Sequence, residues 1–267
     1  MKIKIVKPRI WNFEVLKGKD AWKEVVEAAR VSGVPSKMKG KEIFEMIVKN
    51  DYTSAVEHIL IKFDIQMTKG IAPEFLEHRI VSHTGFSTRY RKVAQPFYEI
   101  ILPWHLLKNK EKRRIFLEKV KENLKIYEAF LKEGLPKESA RYILPFCQAV
   151  GIYHVTINLR SLLNLLGLRL CVRASPEFRC LASQIYFALI KKLPIMKGMV
   201  GCRGLMRGAC PEDKARERTF CPFKDKTKDF FIPTIPEMRK GKSKKFNLKK
   251  AIEIQEKMFK VWARWEG

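Results

Sequence analysis

The chain has 267 residues, which is enough for one large domain or two small ones, and 46% of them are hydrophobic, so a buried core is expected. Its 54 basic and 28 acidic residues give a net charge of +26, which favours polyanionic partners such as nucleotides, nucleic acid or an acidic membrane surface. The apolar runs are too short to cross a bilayer and no apolar leader follows the first residues, so we expect a cytoplasmic protein with no membrane-spanning segment.

The first half of the chain predicts short strands and helices in alternation. Charged and aliphatic residues alternate in the predicted strands, and apolar residues recur at helical spacing in the predicted helices. In chain order we expect an edge strand, two helices, a long strand, a short helix and another strand: Lys2–Val6, Ala21–Val31, Lys41–Lys49, Ser54–Met67, Pro73–Leu76 and Phe97–Leu102.

The second half is predicted to be mainly helical, with one further strand. Its expected elements are two helices, a strand, two apolar helices and a closing helix: Asn109–Glu133, Pro136–Arg141, Gly151–Asn158, Leu159–Arg173, Ser175–Leu193 and Leu248–Trp265. Residues 197–246 are rich in Gly, Pro, Cys, Lys and Arg and show little periodicity, which predicts an irregular appendage. We therefore expect an α/β fold, a central sheet flanked by long helices, with domains at 1–196 and 197–267.

One segment concentrates groups that bind anions. Glu77–Arg89 reads EHRIVSHTGFSTR and holds two His, two Arg and two Ser around a glycine. Hydroxyls, loop N–H groups and guanidinium groups all donate hydrogen bonds to phosphate oxygens. The segment therefore predicts a phosphate-binding loop, and the alternative is a polar surface loop.

A second group of polar residues lies on an otherwise apolar helix. Asn158 stands where the helix begins, and Arg160 and Asn164 are four residues apart and share a face, with Arg169 further along. The free N–H groups at the start of a helix favour a phosphate there. The alternative is hydrogen bonding of these side chains to a neighbouring subunit or to the backbone.

Both segments resemble the flavin-dependent thymidylate synthases. In the first, five positions of the family signature match at the right spacing: His78, Arg79, Ser82, Ser87 and Arg89. In the second, the Asn-x-Arg start, the Asn four residues on and the later Arg all match. Further similarity includes Arg141-x-x-Leu-Pro145 and spans about residues 20–190. Three positions depart from the family pattern: Glu77, Thr84 and Gly85.

The resemblance implies a thymidylate synthase-complementing-protein-like fold, a homotetramer, and the conversion of dUMP to dTMP with FAD, NADPH and methylenetetrahydrofolate. The implied FAD-binding residues are Ser54, His78, Arg79, Ile80, Asn158, Arg160 and Asn164. The implied dUMP-binding residues are Ser87, Thr88, Arg89, Arg141 and Arg169. Arg169 is the implied catalytic residue, because a fixed cation stabilises the charge that develops on the polarised uracil ring. We expect five arginines to surround one ligand: Arg79, Arg89, Arg141, Arg160 and Arg169.

The departures leave two alternatives open. A carboxylate at Glu77 and a missing side chain at Gly85 are compatible with a related flavoprotein that acts on another uracil-containing substrate. The net charge of +26 and the basic stretch Arg239–Lys250 are compatible with a family member that binds RNA and lacks synthase activity.

The six cysteines form the third feature. Cys147, Cys171 and Cys180 lie in predicted core elements, where cysteine usually serves as a small hydrophobic residue. The other three lie in the appendage with spacings too wide for a zinc knuckle. We predict a zinc or iron–sulfur site with the ligands Cys180, Cys202, Cys210 and Cys221, and Cys171 is the alternative to Cys180. Free thiols, or a disulfide of a hyperthermophile, are the competing interpretations.

Overall fold

The computed structural model describes residues 2–52, 54–93, 97–241 and 246–266. Among these residues there are six strands, β1 to β6: Lys2–Val6, Arg9–Val15, Leu60–Met67, Val81–Gly85, Phe97–Ile101 and Gly151–Asn158. The α-helices, α1 to α11, are Trp22–Val31, Gly40–Lys49, Ala72–Leu76, Lys110–Lys132, Lys137–Ala140, Leu159–Arg169, Pro176–Lys192, Arg203–Arg207, Lys214–Glu217, Ile235–Arg239 and Leu248–Arg264. The α/β prediction is confirmed.

Strands β3 and β6 are the centre of the main sheet. They pair antiparallel along their full lengths, from Leu60 opposite Asn158 to Met67 opposite Gly151. β2 adds to the free edge of β3 and β4 to that of β6, which gives the order β2-β3-β6-β4. β1 and β5 form a separate parallel pair.

One face of β3 is buried, as its alternation predicts. Ile61, Phe63 and Ile65 are fully buried against the helices. Gln66, on the opposite face of the strand, is fully buried as well. Its amide donates to Glu99 of β5 and to the carbonyl of Ala149, each at 3.0 Å, so its polar atoms are satisfied and it links the two sheets.

Several predicted boundaries were wrong, and two strands were not predicted. The long strand begins at Leu60 and not at Ser54, because Ala55–His58 forms a 3-10 turn. The helix predicted to end at Arg173 ends at Arg169. β2 and β4 were not predicted as strands, and β4 lies inside the segment predicted to be a loop.

The appendage has a small apolar cluster of its own, built on Leu205, Phe223 and Ile232. The closing helix α11 packs against α7, and Phe259 lies in the main core. The boundary between residues 196 and 197 stays a prediction. The basic stretch Arg239–Lys250 includes residues 242–245, which lie outside the described residues. No helix in the described ranges has the length and apolarity to span a membrane.

The two ends of the described chain meet. The ammonium of Lys7 donates to the carbonyl of Arg264 at 2.9 Å. The amide of Gln184, on α7, donates to the carbonyls of Pro8 and Ala263, and so joins the entry to β2 with the last turn of α11. These contacts close the fold around α7.

A buried carboxyl fixes the start of α7 to the end of β3. The N–H and the hydroxyl of Thr68 donate to the two oxygens of Glu177, at 2.6 and 2.8 Å. Burial raises the pKa of Glu177 to about 7. Glu177 thereby positions Phe178, whose ring lies in the site described below.

This raised pKa predicts a pH-dependent stability. Between about pH 4.5 and pH 7 the folded protein keeps a proton on Glu177 that the unfolded chain has released, so the free energy of unfolding should fall as the pH rises through this window, by about 3 kcal/mol. Denaturant unfolding at a series of pH values should show a smaller fall in Glu177→Gln. Parallel pH curves for the two proteins would contradict the assignment.

Candidate active site

The segment predicted to be a phosphate loop is a helix end, a turn and an edge strand. Glu77 caps the C-terminus of α3, and β4 then pairs with β6 from Val81 to Gly85. Ile80, in the turn, has a φ of 59° and is 67% exposed. A β-branched residue in the left-handed region is strained, and strain of this kind is concentrated at functional sites.

Arg169, at the end of α6, is the centre of the site. Its Nη1 donates to the carboxylate of Glu74 at 2.9 Å, and its Nη2 donates to the Glu74 carbonyl at 3.2 Å. Its Nε donates to Nε2 of His78 at 3.1 Å, and its Cζ lies 4.6 Å from the centre of the Phe178 ring. A guanidinium has five N–H groups, so two remain for a ligand. The side chain is only 19% exposed, and its charge is held in place.

His78 is neutral at physiological pH. Burial, together with the charges of Arg169 and Arg203, lowers its pKa to about 4. Because Nε2 accepts the hydrogen bond from Arg169, the neutral ring carries its proton on Nδ1. His78 can therefore donate one hydrogen bond from Nδ1 to a bound molecule.

The His78 assignment can be tested by NMR. With 13Cε1-labelled histidine, one of the five ring signals should titrate near pH 4. Arg169→Met should raise this pKa more than Arg203→Met does, because Arg169 is the stronger of the two electrostatic causes. Titration of His78 near pH 6.5 in the unaltered protein would show that the ring is not held in this environment.

The start of α6 forms a second part of the site. The Asn158 side chain caps the helix by accepting from the N–H of Ser161 at 2.8 Å. Arg160 pairs with Glu57 at 2.5 Å and is 49% exposed, and Ser54 is exposed just before the 3-10 turn that carries Glu57. The positive end of this helix and an accessible guanidinium suit an anionic group.

Arg203, which sequence reasoning missed, joins the appendage to this site. Its Nη2 donates to the amide oxygen of Asn164 at 2.6 Å. Asn164 lies on the exposed side of α6, between Arg160 and Arg169. Arg203 follows the appendage cysteine Cys202, and no spacing in the sequence relates Arg203 to α6.

The residues predicted to bind the dUMP phosphate lie together. Arg89 pairs with Glu138 at 2.8 Å, and Arg141 donates to the hydroxyl of Thr88 at 3.3 Å and to the carbonyl of Glu138 at 3.1 Å. Ser87, which precedes Thr88 in the chain, is half-buried. An open cleft of about 600 Å³ adjoins this group and is lined by further cations and apolar residues: Lys4, Phe86, Arg91, Lys92 and Val93.

The five arginines do not surround one point within a single chain, which corrects the sequence expectation. Arg169 contacts His78, which precedes β4 in the chain. Arg141 contacts Thr88, which follows β4 and is next to Arg89, and β4 itself spans about 17 Å. Arg160 is held by Glu57, and Arg79 is exposed. One chain thus presents two separate groups of candidate ligand-binding residues, one around Arg169 and one around Arg89 and Arg141.

Gly85 is enforced by a neighbouring ring. Gly85 lies opposite Tyr153 in the pairing of β4 with β6, and a β-carbon on Gly85 would overlap the Tyr153 ring. That ring also packs against Phe75 and His83, with centroid separations of 6.0 and 5.8 Å. Tyr153 thus fills the space of the Glu or Gln side chain that the resemblance implies here.

Gly85 and Tyr153 should therefore be coupled. Gly85→Ala should lower the free energy of unfolding by about 1–3 kcal/mol, because the ring must move from its packed position. In a Tyr153→Ala background the same change should cost much less, and a double-mutant cycle from denaturant unfolding would measure the difference. Simple additivity of the two changes would rule out the overlap.

One member of the predicted four-ligand metal set lies apart from the other three. Cys180 lies in a separate buried cluster, where it accepts from Gln184 at 3.3 Å and donates to the carbonyl of Ala263 at 3.6 Å. All six cysteines are free thiols. In the described part of the chain, no three His, Cys, Asp or Glu side chains converge closely enough to hold one metal ion, so the structure does not support a zinc ion.

Comparisons with known proteins agree with the motifs. The family model described as thymidylate synthase complementing protein matches residues 14–195. A flavin-dependent thymidylate synthase from Pyrococcus abyssi is 33% identical over 168 residues, which cover 60% of this chain and 68% of that protein. One from Geobacter sulfurreducens is 28% identical over 169 residues, which cover 63% of this chain and 72% of that protein.

The fold has a solved counterpart. The UMP/dUMP methylase PolB from Streptomyces cacaoi, crystallised with 5-Br dUMP, superposes with a TM-score of 0.60 at 21% identity, over 72% of this chain and 94% of that one. At this level of identity the likeness concerns the fold. The family match over residues 14–195 and the relative from Pyrococcus abyssi show that the chain belongs to the family of flavin-dependent thymidylate synthases.

Proposed function

We propose that the protein is a flavin-dependent thymidylate synthase that methylates dUMP reductively to dTMP, with FAD as cofactor, NADPH as reductant and methylenetetrahydrofolate as one-carbon donor. The observation that carries the proposal is the fixed charge of Arg169. It occupies the family position for the cation beside the pyrimidine, with two N–H groups unused.

The residues present fit an FAD. An exposed, strained Ile80 and a neutral His78 stand at one end of β4, and the start of α6 offers Asn158 and Arg160 to an anionic part of the cofactor. The held Asn164 completes the set on the same helix. When bound, the flavin supplies hydride chemistry, and the protein supplies binding and orientation.

Arg169 acts on the nucleotide base by electrostatics. A guanidinium fixed by Glu74 and Phe178 needs no reorganisation when negative charge develops on a polarised uracil. Its low exposure limits screening by water. His78 holds the Nε of the same guanidinium, so the cation and the flavin-side imidazole are positioned by one contact.

The phosphate is assigned to the other group of residues, Ser87, Thr88, Arg89 and Arg141. Since these lie beyond the far end of β4 from Arg169, a complete site is best formed between subunits. We therefore propose a homotetramer in which one chain's phosphate group faces another chain's flavin group. Glu138 holds Arg89 through its carboxylate and Arg141 through its carbonyl, and both guanidiniums keep further N–H groups for the phosphate.

The activity can be tested with purified protein. It should be yellow and should convert dUMP to dTMP with NADPH and methylenetetrahydrofolate. Arg169→Lys should lower kcat by about 10²-fold with little change in KM, because it removes transition-state stabilisation. Arg141→Gln should raise the KM for dUMP and leave the FAD content unchanged.

Arg114→Gln is the matched control, since Arg114 is an exposed arginine of α4 paired only with Glu118. A colourless protein that takes up no FAD would refute the proposed cofactor. Full turnover in Arg169→Lys would refute the assigned role of this residue.

A related uracil nucleotide is the second candidate substrate. The observation that favours it is the Tyr153 ring at Gly85, which replaces a polar side chain of the family pattern. Comparing kcat/KM for dUMP and UMP in the same assay distinguishes the two, and a preference for UMP would select this candidate.

A further inference from the structure

A cavity lies where the appendage meets the end of α6. It has a volume of about 150 Å³, roughly ten times what a single water molecule needs. Four of the six cysteines line it: Cys171, Cys202, Cys210 and Cys221. Three of these lie beyond residue 195, outside the part that the family model matches.

The four thiols face one another as a group. Each of the six pairs they form is close enough for the charge of one sulfur to act on the other. Each sulfur also accepts a hydrogen bond from a backbone N–H two or three residues later, and the donors are Arg173, Leu205, Glu212 and Phe223. Outer-shell donors of this kind orient the ligands of metal sites.

Two buried donors in the cavity wall lack partners. Arg216 is 2% exposed, and its Nε and Nη2 have no hydrogen-bond acceptor, although carboxylates of Glu217 and Glu237 lie at 3.8 Å. Gln255 is also 2% exposed; its oxygen accepts from the N–H of Cys202 at 2.8 Å, while its Nε2 has no partner. Buried donors of this kind call for an acceptor in the cavity, which a bound group or a water molecule can supply.

The size of the cavity selects the kind of occupant. A tetrahedral zinc ion holds its sulfur ligands at 2.3 Å and therefore about 3.8 Å from one another, and the described thiols do not converge in this way. A polynuclear cluster places its four thiolates farther apart and carries a net negative charge. The basic residues in the wall, Arg173, Arg203 and Arg216, outnumber the one acidic residue, Glu212, which suits such a charge.

We infer that Cys171, Cys202, Cys210 and Cys221 bind an iron–sulfur cluster, with Arg216 and Gln255 as donors to its sulfur atoms. The cluster would fasten the appendage to the end of α6, two residues beyond Arg169. No residue assigned to the flavin or the nucleotide lines the cavity, and Arg203 of its wall connects it to Asn164.

The first test uses the unaltered full-length protein, purified without oxygen. Iron and acid-labile sulfide should be present in equal amounts, two or four of each per chain. Because a flavin also absorbs visible light, the cluster is identified by these two assays and by electron paramagnetic resonance of the dithionite-reduced protein. A stoichiometric zinc content without sulfide would overturn the inference, and so would failure to bind iron after anaerobic reconstitution with ferrous iron and sulfide.

The second test replaces each cysteine by alanine. The four variants at the cavity should lose iron and sulfide by at least about tenfold, since even a change in an outer partner of a metal site costs this much in affinity. Cys147→Ala and Cys180→Ala are the matched controls, because these thiols are buried elsewhere, and they should keep the wild-type content. Loss in Cys180→Ala with retention in Cys171→Ala would overturn the ligand set.

Neither measurement requires substrate or FAD. A protein that holds the cluster and makes no dTMP would refute the proposed function alone. A protein that makes dTMP without iron or sulfide would refute the cluster alone.

Discussion

The ion pair between Arg169 and Glu74 is the contact on which the candidate site depends. It joins the end of α6 to α3, and the same guanidinium reaches His78 and the ring of Phe178 on α7. One planar group thus fixes α3 to two consecutive helices, α6 and α7, that lie far from it in sequence. The geometry of the candidate site around Arg169 depends on this contact more than on the edge strand that carries the family signature.

The same contact explains how the chain tolerates acidic residues near a nucleotide site. Glu74 neutralises and orients a cation, whereas Glu77, at the end of α3, is exposed and forms no ion pair with any residue that the structure describes. A carboxylate that faces water has little effect on a phosphate bound elsewhere. At Gly85, another departure from the family pattern, the Tyr153 ring fills the space of the missing side chain but does not replace its polar group.

The fold was predictable where periodicity was strong. The alternation in β3 and the apolar stripe of α4 predicted the correct elements. β4 was missed because Ser82, His83 and Thr84 are all exposed and show no alternation, and only backbone pairing with β6 makes this segment a strand. β2 was missed because a bulge between Trp11 and Glu14 interrupts its pattern. The site residues came from the family motifs, while Arg203 and the fourth cavity cysteine depended on tertiary contacts that spacing does not encode.

The meeting of the two chain ends has a consequence for biosynthesis. Lys7 and Arg264 are 257 residues apart in sequence, yet they are bonded to each other, and Gln184 of α7 bonds to their neighbours Pro8 and Ala263. Contacts so distant in sequence form slowly and only once the later residues have been made. Until α11 has been made, α7 lacks the packing of that helix and keeps apolar surface exposed, which favours aggregation of the incomplete chain.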